Sequence, residues 1–295
     1  MFMKKLIGIL LILCGFVILI GSVASSGIGS GWHAGKYPAR DVTIENVRQI
    51  RIDATSSVTV IPEKRLDVKA VLQGKGMNDV DMSIQKKGNE LTILVKPKWY
   101  LWMRQDQIVR LNVYVPKSYD QNMTIHSLGG NLDFAGQEGS QLMKLNELKV
   151  DMVEGNINLK NLRVNRLDTN SMSGNTKLDL VTAESANFHS SSGNVTLNHF
   201  SGSFCANLSL GNLKAQIDQV SGPIQADQVS GDMEVNLPRD ADFALRAQVD
   251  SGNVKCDFIP CQRRRKNWAV TATAMVKSGK NKIQLHNISG NVHIY

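Results

Sequence analysis

Aromatic residues make up only 6% of this 295-residue chain, and it holds four cysteines. A helical enzyme core would carry more aromatic surface; short strands and tight turns need little. No segment of useful length repeats apolar residues at the 3.6 period of a helix. No Cys-x-x-Cys pair or other zinc spacing occurs, and no His-Glu-x-x-His. The Gly-x-Ser-x-Gly elbow of serine hydrolases and the Gly-x-x-x-x-Gly-Lys phosphate loop are also missing. The six histidines (His33, His126, His189, His199, His286 and His293) therefore fall in no metal or nucleophile motif. These absences leave catalytic residues, cofactor and metal all unassigned, with none expected.

What the chain has is a short word: a glycine, then Asn or Asp, then an alternating strand. The glycines are Gly130, Gly155, Gly174, Gly193, Gly211, Gly231, Gly252 and Gly290, spaced 25, 19, 19, 18, 20, 21 and 38 residues apart. A fixed period of this size marks a stacked repeat. Glycine reaches positive φ without steric cost, and Asn or Asp tolerates the left-handed region, so each word turns the chain sharply. The strand after each word alternates in period two: Ile157 and Leu159, Val195 and Leu197, Met233, Val235 and Leu237, Val292 and Ile294. Period two places one face in and one face out. About 20 residues is too short for a strand–helix–strand unit but suits one coil of two or three short strands. Coils stacked about 4.8 Å apart would pair in register and bury one continuous apolar column. The expected fold is all-β, a parallel β-solenoid over residues 127–295 with the eight glycines as structural turns.

Residues 41–126 lack the Gly-Asn word but read as strands, among them 49–53, 57–61, 66–72, 91–96 and 108–115. They are expected to form a β-rich cap over the open end of the stack, where unpaired edges need cover. Residues 260–268 interrupt the coils and account for the 38-residue gap.

Residues 6–24 are uncharged and come directly after Lys4 and Lys5. Two readings of the segment 1–24 stand. Its length favours an uncleaved transmembrane anchor. Ser22-Val23-Ala24 also fits a small-x-small site, which would make it a signal peptide cleaved after Ala24, with a secreted body. Both keep the N-terminus in the cytoplasm and the body outside. Residues 25–40 are a Gly/Ser linker. Net charge is +8, leaving +6 for the exterior body, which suits an anionic cell wall or lipid surface. A nucleic-acid partner is not expected outside the cell. Cys256 and Cys261 would close a short disulfide in an oxidising compartment or stay as buried thiols; the spacing permits both.

Two segments break the repetitive background as candidate membrane or partner contacts. One holds Trp99, Tyr100, Trp102 and Arg104, aromatics beside basic residues. The other is Arg263, Arg264, Arg265 and Lys266, four adjacent cations read as a solvated loop. An enzyme would need exposed carboxylates in register, and Asp168 with Asp179, or Asp218, Asp227 and Asp232, are the candidates.

The Gly-Asn coils, the entry Val113-Tyr114-Val115-Pro116, the exit Val235-Asn236-Leu237-Pro238 and the N-terminal apolar segment resemble one family. It is the bacterial putative-adhesin family of uncharacterised domains, and within it the membrane-anchored LiaG-like proteins of Gram-positive bacteria. The resemblance implies a right-handed β-solenoid at the cell surface, sometimes encoded with envelope-stress systems, and carries over no catalytic residue. The expected function is non-enzymatic, adhesin-like binding of an extended or anionic envelope ligand: a cell-wall polymer, lipid headgroups or an envelope protein. Alternatives are an accessory partner of a membrane stress-sensing system and, last, a carbohydrate-active solenoid enzyme.

Overall fold

A computed structural model describes residues 40–75, 79–98, 108–136, 142–258 and 260–295. Among them are nineteen strands and one continuous hydrogen-bonded sheet; the described residues are all-β. The first nine strands are β1 (Arg40–Thr43), β2 (Gln49–Ala54), β3 (Ser57–Glu63), β4 (Asp67–Lys75), β5 (Val80–Lys87), β6 (Glu90–Pro97), β7 (Ile108–Pro116), β8 (Asn122–Ser127) and β9 (Leu132–Ala135). Five long ones come next: β10 (Met143–Glu154), β11 (Ile157–Ser173), β12 (Thr176–Ser192), β13 (Val195–Leu210) and β14 (Leu213–Ser230). The last are β15 (Met233–Asn236), β16 (Phe243–Cys256), β17 (Cys261–Lys266), β18 (Ala269–Val276) and β19 (Asn281–Ile294). No helix among the described residues is long and apolar enough to cross a membrane. The anchor or signal segment of residues 1–24 lies outside the described residues, as does the linker 25–40 except for Arg40, which opens β1.

From β10 to β14 each strand lies parallel to the next, one coil further on. Leu148 pairs with Leu167, Leu167 with Ala186, Ala186 with Phe204, and Phe204 with Ile224. Alternation does the rest: along the straight stretches of these strands every second residue is buried, and the pattern breaks at the corners. Large and small core residues face each other across the stack. Phe188 pairs with Ala206, and Phe204 with Ala186. The rings of Phe188, Phe200 and Phe204 then meet edge to face, with centroids 5.8–6.3 Å apart. That geometry suits aromatic quadrupoles.

The Gly-Asn words stack on one another. Gly193 has φ of 130°, and a Cβ there would sit 2.0 Å from the carbonyl oxygen of Gly174. Glycine is required by both the dihedral and the close approach. All eight word glycines have positive φ. Beside them runs an asparagine ladder, in which each side-chain oxygen accepts from the backbone N–H of the next coil. Asn156 Oδ1 accepts from Asn175, Asn175 from Asn194, Asn194 from Asn212, and Asn212 from Asp232, at 2.8–3.0 Å. The corner backbone, turned away from the strand ladders, finds its partners here.

Spatial order departs from chain order near both ends. β19 lies between β14 and β16, pairing parallel with both. Steric contact at the glycines agrees: Gly290 abuts Gly231, and Gly252 abuts Gly290. The 38-residue gap holds the antiparallel strands β17 and β18, which interrupt the coils before β19 returns between β14 and β16. At the other end β8 lies between β10 and β2, and β2 pairs with β6. Antiparallel strands lie beyond: β5 on β6 and β4 on β7, and at the far end β18 on β16 and β17 on β18.

Residues 261–266 correct the sequence reading of a loop. They form strand β17, paired with β18. Gln262 to Lys266 are exposed and offer no apolar alternation for a pattern to detect. The strand exists because β18 presents an open edge, not because it has a face to bury.

Candidate functional site

Parallel pairing sets equivalent residues of successive coils side by side, so each outward position becomes a row across the sheet. One row runs Asp53, His126, Asp151, Asn170, His189, Asn207, Asp227, His286 and Gln248. Two residues upstream, a second runs Arg51, Thr124, Lys149, Asp168, Asn187, Cys205, Gln225, Gln284 and Arg246. The first continues onto Thr271 and Arg264, the second onto Thr273 and Gln262. Nearly every position in both rows carries a hydrogen-bonding side chain.

The rows change character along their length. At one end His126 (4% exposed) and Asp151 (5%) are buried. His126 Nδ1 is 3.0 Å from Asp151 Oδ2, and its Nε2 is 4.0 Å from Asp53 Oδ1. Asn170 donates to Asp151 Oδ1 at 2.6 Å, and Lys149 Nζ is 3.3 Å from Oδ2. Burial pushes the Asp151 carboxyl up, but His126, Lys149 and Asn170 outweigh it and hold the group below its ordinary range. Two coils on, burial lowers the pKa of His189, against the opposing charge of Asp168.

At the other end the rows open into a groove of about 320 Å³ lined by Gln225, Asp227, Arg246, Gln248, Gln284, Leu285 and His286. Gln225 donates to Asp227 Oδ2 at 2.7 Å, and Gln248 to Asp250 Oδ1 at 3.0 Å. His286 Nε2 lies 3.3 Å from Asp250 Oδ2. These contacts hold the amide nitrogens of Gln225 and Gln248 and the ring of His286 at the groove lining. A second, separate groove of about 420 Å³ lies at a corner of the coils, beside Asn161, Leu180 and His199. Those three residues share φ of 52–56°, and His199 Nδ1 sits 3.2 Å from both carboxylate oxygens of Asp218.

The carboxylates weighed for catalysis are not brought together. Asp168 pairs with Lys149 and Asn187, while Asp179 pairs with Lys160 and Asn198. Asp227 stands between Asn207 and His286, Asp218 beside His199, and Asp232 in the asparagine ladder. Among the described residues no group of His, Cys, Asp and Glu is placed to hold a metal ion. Trp99, Tyr100, Trp102 and Arg104 lie outside the described residues. The four cations are split by the strand. Arg264 and Lys266 share a side with Thr271 and Ala269; Arg263 and Arg265 share the other with Ala272 and Val270. Arg263 donates to Asn253 Oδ1 at 2.7 Å, and Arg264 falls in the first polar row.

The sequence reading missed the rows, although a signal existed. From His126 onward, each coil member of the first row stands about four residues before a word glycine, from His126 before Gly130 to His286 before Gly290.

The family model described as Toastrack DUF4097 matches residues 47–295. The chain belongs to this family. The Toastrack domain spans all but the first few described residues, including both polar rows. No curated protein matches the chain. Among solved structures, a putative adhesin from Bacteroides fragilis NCTC 9343 matches this Toastrack chain at 13% identity and a TM-score of 0.51, over 90% of this chain and 99% of that one. A putative adhesin from Parabacteroides distasonis ATCC 8503 matches at 11% identity and 0.46, over 88% and 98%. A putative cell adhesion protein from Clostridium sporogenes ATCC 15579 matches at 9% and 0.34, over 87% and 97%. The Bacteroides likeness shows a shared fold. The putative-adhesin family that the Gly-Asn coils resemble is the family found.

Proposed function

We propose that this protein is a non-enzymatic, adhesin-like envelope protein that binds an extended, hydroxyl-rich wall polymer along its polar rows. The observation that carries the reading is the repetition of hydrogen-bonding side chains, one pair of positions per coil, about 4.8 Å apart. Amides dominate the open half, and each amide both donates and accepts, as a polyhydroxylated chain requires. Charges of both signs occur along the rows, so they suit a neutral polar ligand better than a polyanion. On this reading the coils form a right-handed β-solenoid, and residues 41–126 cover one end of it. Residues 6–24 tether the body outside the cytoplasmic membrane, as in LiaG-like proteins.

Co-sedimentation of residues 37–295 with isolated cell walls tests the binding face. Gln225→Ala, Gln248→Ala and Gln284→Ala together should abolish salt-resistant wall binding while circular dichroism stays unchanged. Full retention of wall binding by that variant would remove the rows as the site.

A further inference from the structure

The hairpin of β17 and β18 projects the most exposed large aromatic side chain of the described residues. Lys266 pairs with Ala269 and closes a two-residue turn over Asn267 and Trp268. Asn267 takes the left-handed φ of 55° that such a turn needs. Trp268 is left 85% exposed at the tip. Holding an indole in water brings no folding benefit. Beside it stand Arg263, Arg264, Arg265 and Lys266, all exposed. No Asp or Glu occurs anywhere after Asp257.

The register says what kind of partner fits. Because cations project from both faces of the ribbon, a flat rigid surface would meet only half of them. A layer that surrounds the tip meets all of them. Indole rings favour the bilayer interface, and cations are drawn to anionic headgroups there. Membrane attachment by a weak apolar anchor needs such a second, electrostatic signal.

We propose that the β17–β18 hairpin is a membrane-docking element that dips Trp268 and its flanking cations into the headgroup layer of an anionic bilayer. The site is distinct from the amide-lined groove, and neither reading depends on the other.

The test uses the full chain with vesicles carrying brominated lipids, of phosphatidylcholine alone or mixed with phosphatidylglycerol. Subtracting the emission of a Trp268→Phe variant isolates Trp268 from the other tryptophans. With phosphatidylglycerol, Trp268 emission should shift to the blue and be quenched. High salt should reverse this, and so should Arg264→Gln, Arg265→Gln and Lys266→Gln together. All four substituted residues are exposed, so circular dichroism should not change. Unquenched, water-like emission in the anionic vesicles would overturn the proposal. So would equal quenching in phosphatidylcholine alone, which needs no headgroup charge. A blue shift produced by soluble polyphosphate without vesicles would show a soluble polyanion site instead.

Discussion

Asp151 Oδ2 lies 3.0 Å from Nδ1 of His126 in the buried part of the polar row. The pair joins two neighbouring coils, since Asp151 belongs to β10 and His126 to β8. Its folded carboxyl pKa is lowered, so the unfolded chain binds the proton more readily. The resulting stability is fully present above the unfolded carboxylate pKa, about 4, and is lost as pH falls through the lower folded value. Asp151→Asn should cost about 2 kcal/mol at neutral pH and flatten the acid limb of the stability profile. Urea unfolding at neutral and acid pH reads both effects. An unchanged acid limb would show that the carboxylate is not the group responsible.

Gly193→Ala is the smallest change that tests the glycine stack. Its methyl would meet the Gly174 carbonyl oxygen at 2.0 Å, at a φ of 130° that L-residues rarely adopt. Backbone atoms cannot swing aside as a side chain can. A loss of about 2–4 kcal/mol is expected. Thermal unfolding tracked by circular dichroism measures it, and an unaltered midpoint would contradict the stacking.

Cys256 and Cys261 are free thiols. Burial first, then hydrogen bonding to Cys256, pushes the Cys261 thiol up to about 12, against the charge of Arg263. The thiolate is the nucleophile, so folded Cys261 should react with iodoacetamide on the order of a thousandfold more slowly than an ordinary thiol. Mass spectrometry of partially alkylated protein, native and denatured, gives the two rates. Equal rates would place Cys261 in a far more open setting than described.

Strands with apolar alternation were legible in the sequence. The stretches 49–53, 57–61 and 91–96 lie within β2, β3 and β6. β17 was not legible, because a run of cations carries no period and only its neighbour makes it a strand. Nor was the corner at Leu180, whose φ of 54° is set by stacking between Asn161 and His199 and has no glycine to announce it. The polar rows were within reach, through their constant offsets of four and six residues from the glycines. The position of β19 was not. Every coil from Gly130 onward carries a Gly-Asn or Gly-Asp word, so the word says that coils stack and is silent on which lies next to which.

That silence has a consequence in time. A repeat array whose spatial and chain orders agree can zip up one unit after another as it emerges. Here the stretch Ile224–Ser230 of β14 cannot receive its neighbour until β16, β17 and β18 have been made, because β19 is the strand that fits between it and β16. β16 can take β18 on one edge at once, but its other edge must wait, or mate wrongly with β14, until the latecomer arrives. Removing β19 would therefore not trim the array by one unit. It would take out an inner rung and open two raw edges at once, turning a graded loss into an abrupt one.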